Sequence, residues 1–126
     1  MKVITIKQPW ASLIASGIKE YEFRSWKTNY RGKLLIHAGC GVDKDIDRFN
    51  SLNLKYPKKR IVALVELVDC LKLDEELNKK IINENNIAYG NKYREGYAWK
   101  IKLIKKIDSD KEINGKLGLW NIDNYE

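Results

Sequence analysis

Cysteine, histidine, proline and long apolar runs are all scarce in this chain. Its 126 residues include 2 Cys, 1 His, 2 Pro and 1 Met. Cys40 and Cys70 stand thirty positions apart with no C-x-x-C, and His37 has no second histidine, so a zinc site is not expected. Both cysteines sit beside apolar stretches and read as buried, reduced thiols. No apolar run approaches the roughly 20 residues that span a bilayer, and Met1–Lys7 is too short for a secretory core. The expected compartment is the cytoplasm, with no membrane partner. No G-x-G-x-x-G follows the first strand and no G-x-x-x-x-G-K occurs, which excludes a phosphate-loop nucleotide site. Neither cofactor nor metal is expected.

Positive charge, by contrast, is plentiful. Lys and Arg number 24 against 17 Asp and Glu, a formal net charge of +7. The surplus is lopsided: residues 1–63 carry 13 basic and 5 acidic side chains, residues 64–126 carry 11 and 12. A basic first half suits an anionic partner, with phosphate-bearing ligands foremost. Hydrophobic residues at 44% and charged residues at 33% describe an ordinary globular chain. At this length one domain over 1–126 is expected, since two cores would each be marginal.

Residues 2–6 have β-branched strand composition. Pro9 opens a helix from Trp10 to Ser16, with Trp10, Leu13 and Ile14 on one face and Gly17 just past its end. Glu20–Arg24 alternates, Tyr21 and Phe23 on one side, Glu20, Glu22 and Arg24 on the other. Arg31-Gly32 turns into a strand over Lys33–Ala38. Asp43 caps a short helix whose apolar positions are Ile46, Phe49 and Leu52. Arg60–Val68 reads as a strand buried on both faces. Asp74, Glu75 and Glu76 start a helix with Leu77 and Ile81 inward, then comes a loop rich in Asn, Gly and Tyr. Tyr97–Leu103 alternates as a further strand, and residues 115–122 complete the pattern. The class is α+β.

The densest group of chemistry-bearing residues is Gly17-Ile18-Lys19-Glu20-Tyr21-Glu22-Phe23-Arg24. Glu22 and Arg24, two apart on a strand, project from one face. Lys19 sits at the corner where helix passes into strand. Burial and Arg24 would push its amine toward neutrality, whereas Glu22 would favour the charged form. Two arrangements fit: a solvated ion pair with Lys19 at the surface, or a compact site for a polar ligand. Trp26, beside the motif, is the aromatic best placed to face a ligand. Trp99, alternating with Ile101 and Leu103, suits the core, and His37 suits a structural role.

Ile6-Lys7-Gln8-Pro9-Trp10-Ala11, Gly17-x-Lys19-x-x-Glu22-x-Arg24 and Tyr30-Arg31-Gly32 before Leu35-Ile36-His37-Ala38 together resemble the ASCH domain family of the PUA-like superfamily. The resemblance implies a small PUA-like β-barrel of five to six strands with two to three short helices. It implies a cleft lined by Lys19, Glu22 and Arg24 that binds RNA, DNA or a modified nucleobase or nucleoside, RNA before DNA. It also sets two basic clusters beside that cleft for phosphate contact: Lys27, Arg31 and Lys33, and Lys55, Lys58, Lys59 and Arg60. Some members remove the acetyl group from N4-acetylcytidine, using the motif lysine, a threonine three residues later and a distant glutamate. Here Lys19 is retained and Glu22 occupies the threonine position, so a hydroxyl nucleophile is missing there. In an amidohydrolase of this kind Glu22 would activate water while Lys19 or Arg24 stabilised the oxyanion. A protein-interaction module is the third possibility.

Overall fold

A computed structural model of the chain describes residues 1–123 and residue 125. Six strands form one mixed sheet: β1 (Lys2–Gln8), β2 (Tyr21–Arg24), β3 (Gly32–Val42), β4 (Arg60–Lys72), β5 (Tyr97–Lys106) and β6 (Leu119–Asn121). Their order is β2-β5-β4-β3-β1-β6, with β1 parallel to β3 and the other pairings antiparallel. The helices are short: α1 (Trp10–Ala15), α2 (Glu75–Glu84) and α3 (Asn86–Tyr89), plus a 3₁₀ segment over Lys44–Leu52. The α+β class is as expected. The closed barrel is not: β2 and β6 are free edges of the ladder.

Both edge strands are short, β2 with four residues and β6 with three. The sheet nevertheless curls. In a flat sheet β2 and β1, four spacings apart, would be roughly 19 Å from one another. Yet Arg24 on β2 donates from Nη2 to the Thr5 carbonyl on β1 at 2.9 Å. A side chain spans the gap that a backbone ladder would close in a barrel.

β3 shows how one strand builds two cores. Leu34 and Ile36 enter a cluster with Ile4, Ile14, Val65 and Trp99 under α1. Leu35, pointing the other way, packs with Val3, Ile61 and Trp120. Its neighbour His37 is wholly buried on the same side. β4 is buried on both faces only over Ile61–Ala63; beyond that it alternates, and Val68 is 42% exposed. The expectation of two-sided burial to Val68 fails because no second layer reaches the far half of the strand. Cys70 is buried as expected, but Cys40 is exposed, at the end of β3 where the alternation runs into a glycine-flanked edge.

Local chemistry sets the helix ends. The Ser12 N–H is capped by Gln8 Oε1 at 3.0 Å, and Gly17, at φ +82°, ends α1 in a conformation other residues resist. Asp43 accepts from the Asp45 N–H, and the three-residue spacing of Ile46, Phe49 and Leu52 is realised as 3₁₀ rather than α. Asp74 caps α2 through the Leu77 N–H at 2.8 Å. The expected loop after α2 begins as helix α3, because Asn85 caps it through the Ala88 N–H. Asn85 also donates from Nδ2 to the Ile18 carbonyl, fastening α3 to the corner that carries Lys19.

His37 has the structural role expected of it. Its Nε2 lies 2.6 Å from the Ile113 carbonyl, which can only accept, so Nε2 carries the proton. Nδ1 then accepts from the Thr5 hydroxyl, whose oxygen in turn accepts from Trp120 Nε1. Burial holds the imidazole pKa below its usual range. A second proton on Nδ1 would force the Thr5 hydroxyl to accept in place of donating, and would put a charge into a buried site. The unfolded chain takes up that proton near pH 6.5 and the folded one does not. Stability is therefore expected to be level above about pH 7.5 and to fall below pH 6.5, by at most about 1.4 kcal/mol per pH unit. Urea midpoints at pH 7.5 and 5 check this, with His37→Gln expected to flatten that part of the dependence.

Candidate functional site

The gap between β2 and β1 opens into a cavity of about 600 Å³, within the range that small ligands occupy. Its walls come from β1, β2 and the residues just after it, the start of the 3₁₀ segment, and the loop after α3. A second cavity of about 660 Å³ shares Lys19 but is lined mainly by β4 and β5 side chains such as Val68, Lys100 and Lys102. It has no aromatic wall, so the first is the better candidate despite its slightly smaller volume.

Glu22 is the hub. Lys19 Nζ lies 3.3 Å from its Oε1, and Arg24 reaches its Oε2 from Nη2 at 3.0 Å and from Nε at 3.1 Å. Lys19 is 4% exposed and also donates to the Tyr21 carbonyl. Its ammonium stands 4.7 Å from the Phe23 ring centroid and 5.6 Å from that of Tyr89. The solvated-pair arrangement is thereby excluded: Lys19 is inside. Burial pulls its pKa from 10.5 down to about 8, against the opposing pull of Glu22, while Arg94 and Arg24 push the same way as burial. Tyr89 accepts the Glu20 and Tyr21 N–H groups at its hydroxyl, which fixes the turn into β2, and burial drives that phenol up to about 12.

Around this hub stand aromatic and charged groups. Trp26 is 37% exposed and meets Trp99 edge to face at 4.8 Å, with its carbonyl accepting from Trp99 Nε1. Trp10 donates to Asp43 at 3.3 Å. Asp43 titrates below the usual carboxylate range, chiefly through the Asp45 N–H. Arg94 lies 4.4 Å from the Phe23 centroid and donates to the Tyr89 carbonyl. Burial lowers its pKa.

Gly96 lets β2 and β5 meet at this wall. It has φ +95°, and a Cβ there would stand 2.6 Å from the Arg24 carbonyl. Gly96→Ala is expected to destabilise by about 1–3 kcal/mol through backbone strain, readable in the urea midpoint, and to displace Arg24 and Ser25.

A family model for the ASCH domain matches residues 4–111. The chain belongs to the ASCH domain family. It is similar to activating signal cointegrator 1 of Homo sapiens, 34% identical over 85 residues, and to the Mus musculus protein of that name, 34% identical over 82 residues. Each alignment takes in 54% of this chain and 14% of the relative. The ASCH domain described here thus matches a minor part of those longer proteins.

In this ASCH domain Lys19, Glu22, Arg24 and Trp26 all line one cavity. Ser25 lines it too, whereas Thr28 is buried elsewhere, its hydroxyl accepting from the Tyr30 N–H. None of the seven basic residues named for phosphate contact lines it. Arg31 pairs with Asp69 at 3.5 Å, Lys59 with Glu112 at 3.6 Å, and Arg60 donates to the Lys58 and Ser109 carbonyls. Lys27, Lys33, Lys55 and Lys58 are exposed. The cations that do line it, besides Lys19 and Arg24, are Lys7, Arg48, Lys92 and Arg94. Arg48 and Arg94 lie in segments without a motif, and only the Asp43 cap signals that the 3₁₀ segment turns back toward β1. Among the described residues no helix is long and apolar enough to cross a membrane.

Proposed function

We propose that this ASCH domain binds RNA through an unstacked base, held in the cavity by Lys19, Glu22 and Arg24 and stacked on Trp26. The observation that carries this reading is one wall that joins a buried, hydrogen-bonded charge triad to a half-open indole. The triad offers donors and an acceptor to a base edge, and an indole held edge-on by Trp99 is a ready stacking surface. DNA and free nucleosides share the base and are the comparison ligands. Titration with a single-stranded RNA, followed by tryptophan fluorescence, tests the reading. Binding is expected to weaken as salt rises, by about 0.7 powers of ten per neutralised phosphate for each tenfold increase. Trp26→Ala is expected to cost about 1–3 kcal/mol per stacked base. Absence of RNA, DNA and nucleoside binding at low salt would end the proposal.

A second reading, hydrolysis of an N4-acetylcytidine-like amide, draws on Lys19, whose pKa of about 8 makes the amine available as a base near neutral pH. Release of cytidine from N4-acetylcytidine, lost in Lys19→Ala, would favour it. Against it, Glu22 already engages two cations and has little freedom to activate water.

A further inference from the structure

The cavity mouth holds two guanidinium groups that the charge triad does not use. Arg48 comes from the 3₁₀ segment and Arg94 from the loop after α3, and adjacent residues bring them together. Arg94 Nη2 donates to the Tyr89 carbonyl at 3.1 Å, and Arg48 Nη1 lies where a Cβ on the next residue, Gly90, would be only 2.9 Å away. Gly90 has no side chain and so admits Arg48. Each guanidinium rests on a ring, Arg48 at 4.8 Å from the Phe49 centroid and Arg94 at 4.4 Å from that of Phe23. Among the described residues no carboxylate comes within 4.0 Å of either. Asp43 and Asp45 also line the cavity, but Asp43 is engaged by the Trp10 indole and the Asp45 N–H.

Two like charges held near one another with no carboxylate among the described residues within 4.0 Å repel, and ring packing, with a backbone bond in the case of Arg94, keeps them there. An anion placed between them removes that cost and gains charge-assisted, fork-shaped hydrogen bonds from each. The Tyr89 carbonyl and the Phe23 ring pre-position Arg94, so little of its side-chain freedom is lost on binding.

Resting on the base-binding reading above, we propose that Arg48 and Arg94 form a phosphate subsite, so that the ligand is a nucleotide unit whose base enters beside Lys19, Glu22 and Arg24 while its phosphate sits at the mouth. The backbone contact then lies on these two arginines and not on Lys55, Lys58, Lys59 and Arg60.

Calorimetric titration with the four ribonucleosides, their 3′- and 5′-monophosphates, and trinucleotides lacking terminal phosphates tests this. At least one monophosphate is expected to bind ten- to a hundredfold more tightly than its nucleoside. Arg48→Gln, at an exposed position, is expected to remove about tenfold of that advantage, read as the nucleotide-to-nucleoside affinity ratio within the variant. Arg94→Gln should do the same, with thermal melting to confirm its fold. An equal gain for trinucleotides would assign the phosphate to an internal RNA diester; a gain confined to monophosphates would assign it to a free nucleotide. Equal affinity for nucleosides and nucleotides overturns the subsite but leaves the base site standing. A phosphate advantage kept in Arg48→Gln and lost in Lys58→Gln/Lys59→Gln overturns it as well. No binding of any probe removes both readings together.

Discussion

Glu22→Ala is expected to destabilise the protein by about 3–5 kcal/mol, the usual cost of stripping one partner from a buried ion pair. Glu22 accepts from Lys19 at 3.3 Å and from Arg24 at 3.0 Å, and without it Lys19 keeps only the Tyr21 carbonyl. The ammonium then faces Arg24 and Arg94 with no negative neighbour, and both push its pKa down. The loss has a ceiling because the amine can shed its proton. In the native protein the fall from 10.5 to about 8 already represents on the order of 3 kcal/mol at neutral pH. The folded chain releases this proton before the unfolded one does, so stability rises with pH between about 8 and 10.5. In Glu22→Ala that rise should begin below pH 8. Urea unfolding at pH 7 and 9.5 measures both effects: the variant's deficit should shrink at the higher pH. A deficit below 1 kcal/mol at pH 7 would instead describe a solvent-screened pair. Lys19→Met combined with Glu22→Leu should recover much of the stability, and on the base-binding proposal should abolish nucleoside binding, which separates a structural role of the triad from the proposed binding role.

That triad was legible in the sequence because its members are local. Period-two alternation puts Glu22 and Arg24 on one face, and the helix end at Gly17 puts Lys19 at the corner. What alternation leaves open is which face meets solvent. The charged face of β2 turns inward here because the curled sheet brings β1 opposite it, and curl is a property of all six strands. Arg48 and Arg94 were illegible for a similar reason. They reach the cavity from positions 24 and 70 residues beyond Arg24, through a capped 3₁₀ turn and a loop anchored by Asn78 and Tyr89. The Lys55–Arg60 cluster shows the converse: density of charge along the chain says nothing about where the loop carrying it is placed.

Trp99→Ala is expected to cost about 3–5 kcal/mol and to impair the site along with the core. The indole is 0% exposed, stands opposite Cys70 on one neighbouring strand and Glu22 on the other, and belongs to the cluster under α1. Directly paired residues of antiparallel strands share a face, so Trp99 lies on the side of the sheet that bears the triad. It also meets Trp26 edge to face at 4.8 Å and donates to its carbonyl at 3.4 Å. A cavity of indole size would let Trp26 fall inward and take the stacking surface with it. Trp99→Phe separates the two roles, since a smaller ring fills much of the space but lacks the N–H. That variant should retain a cooperative urea transition, lose less stability than Trp99→Ala, and bind single-stranded RNA more weakly than the parent, toward the level of Trp26→Ala. Trp99→Phe binding at the parent's affinity would show that Trp26 is oriented by contacts other than this hydrogen bond.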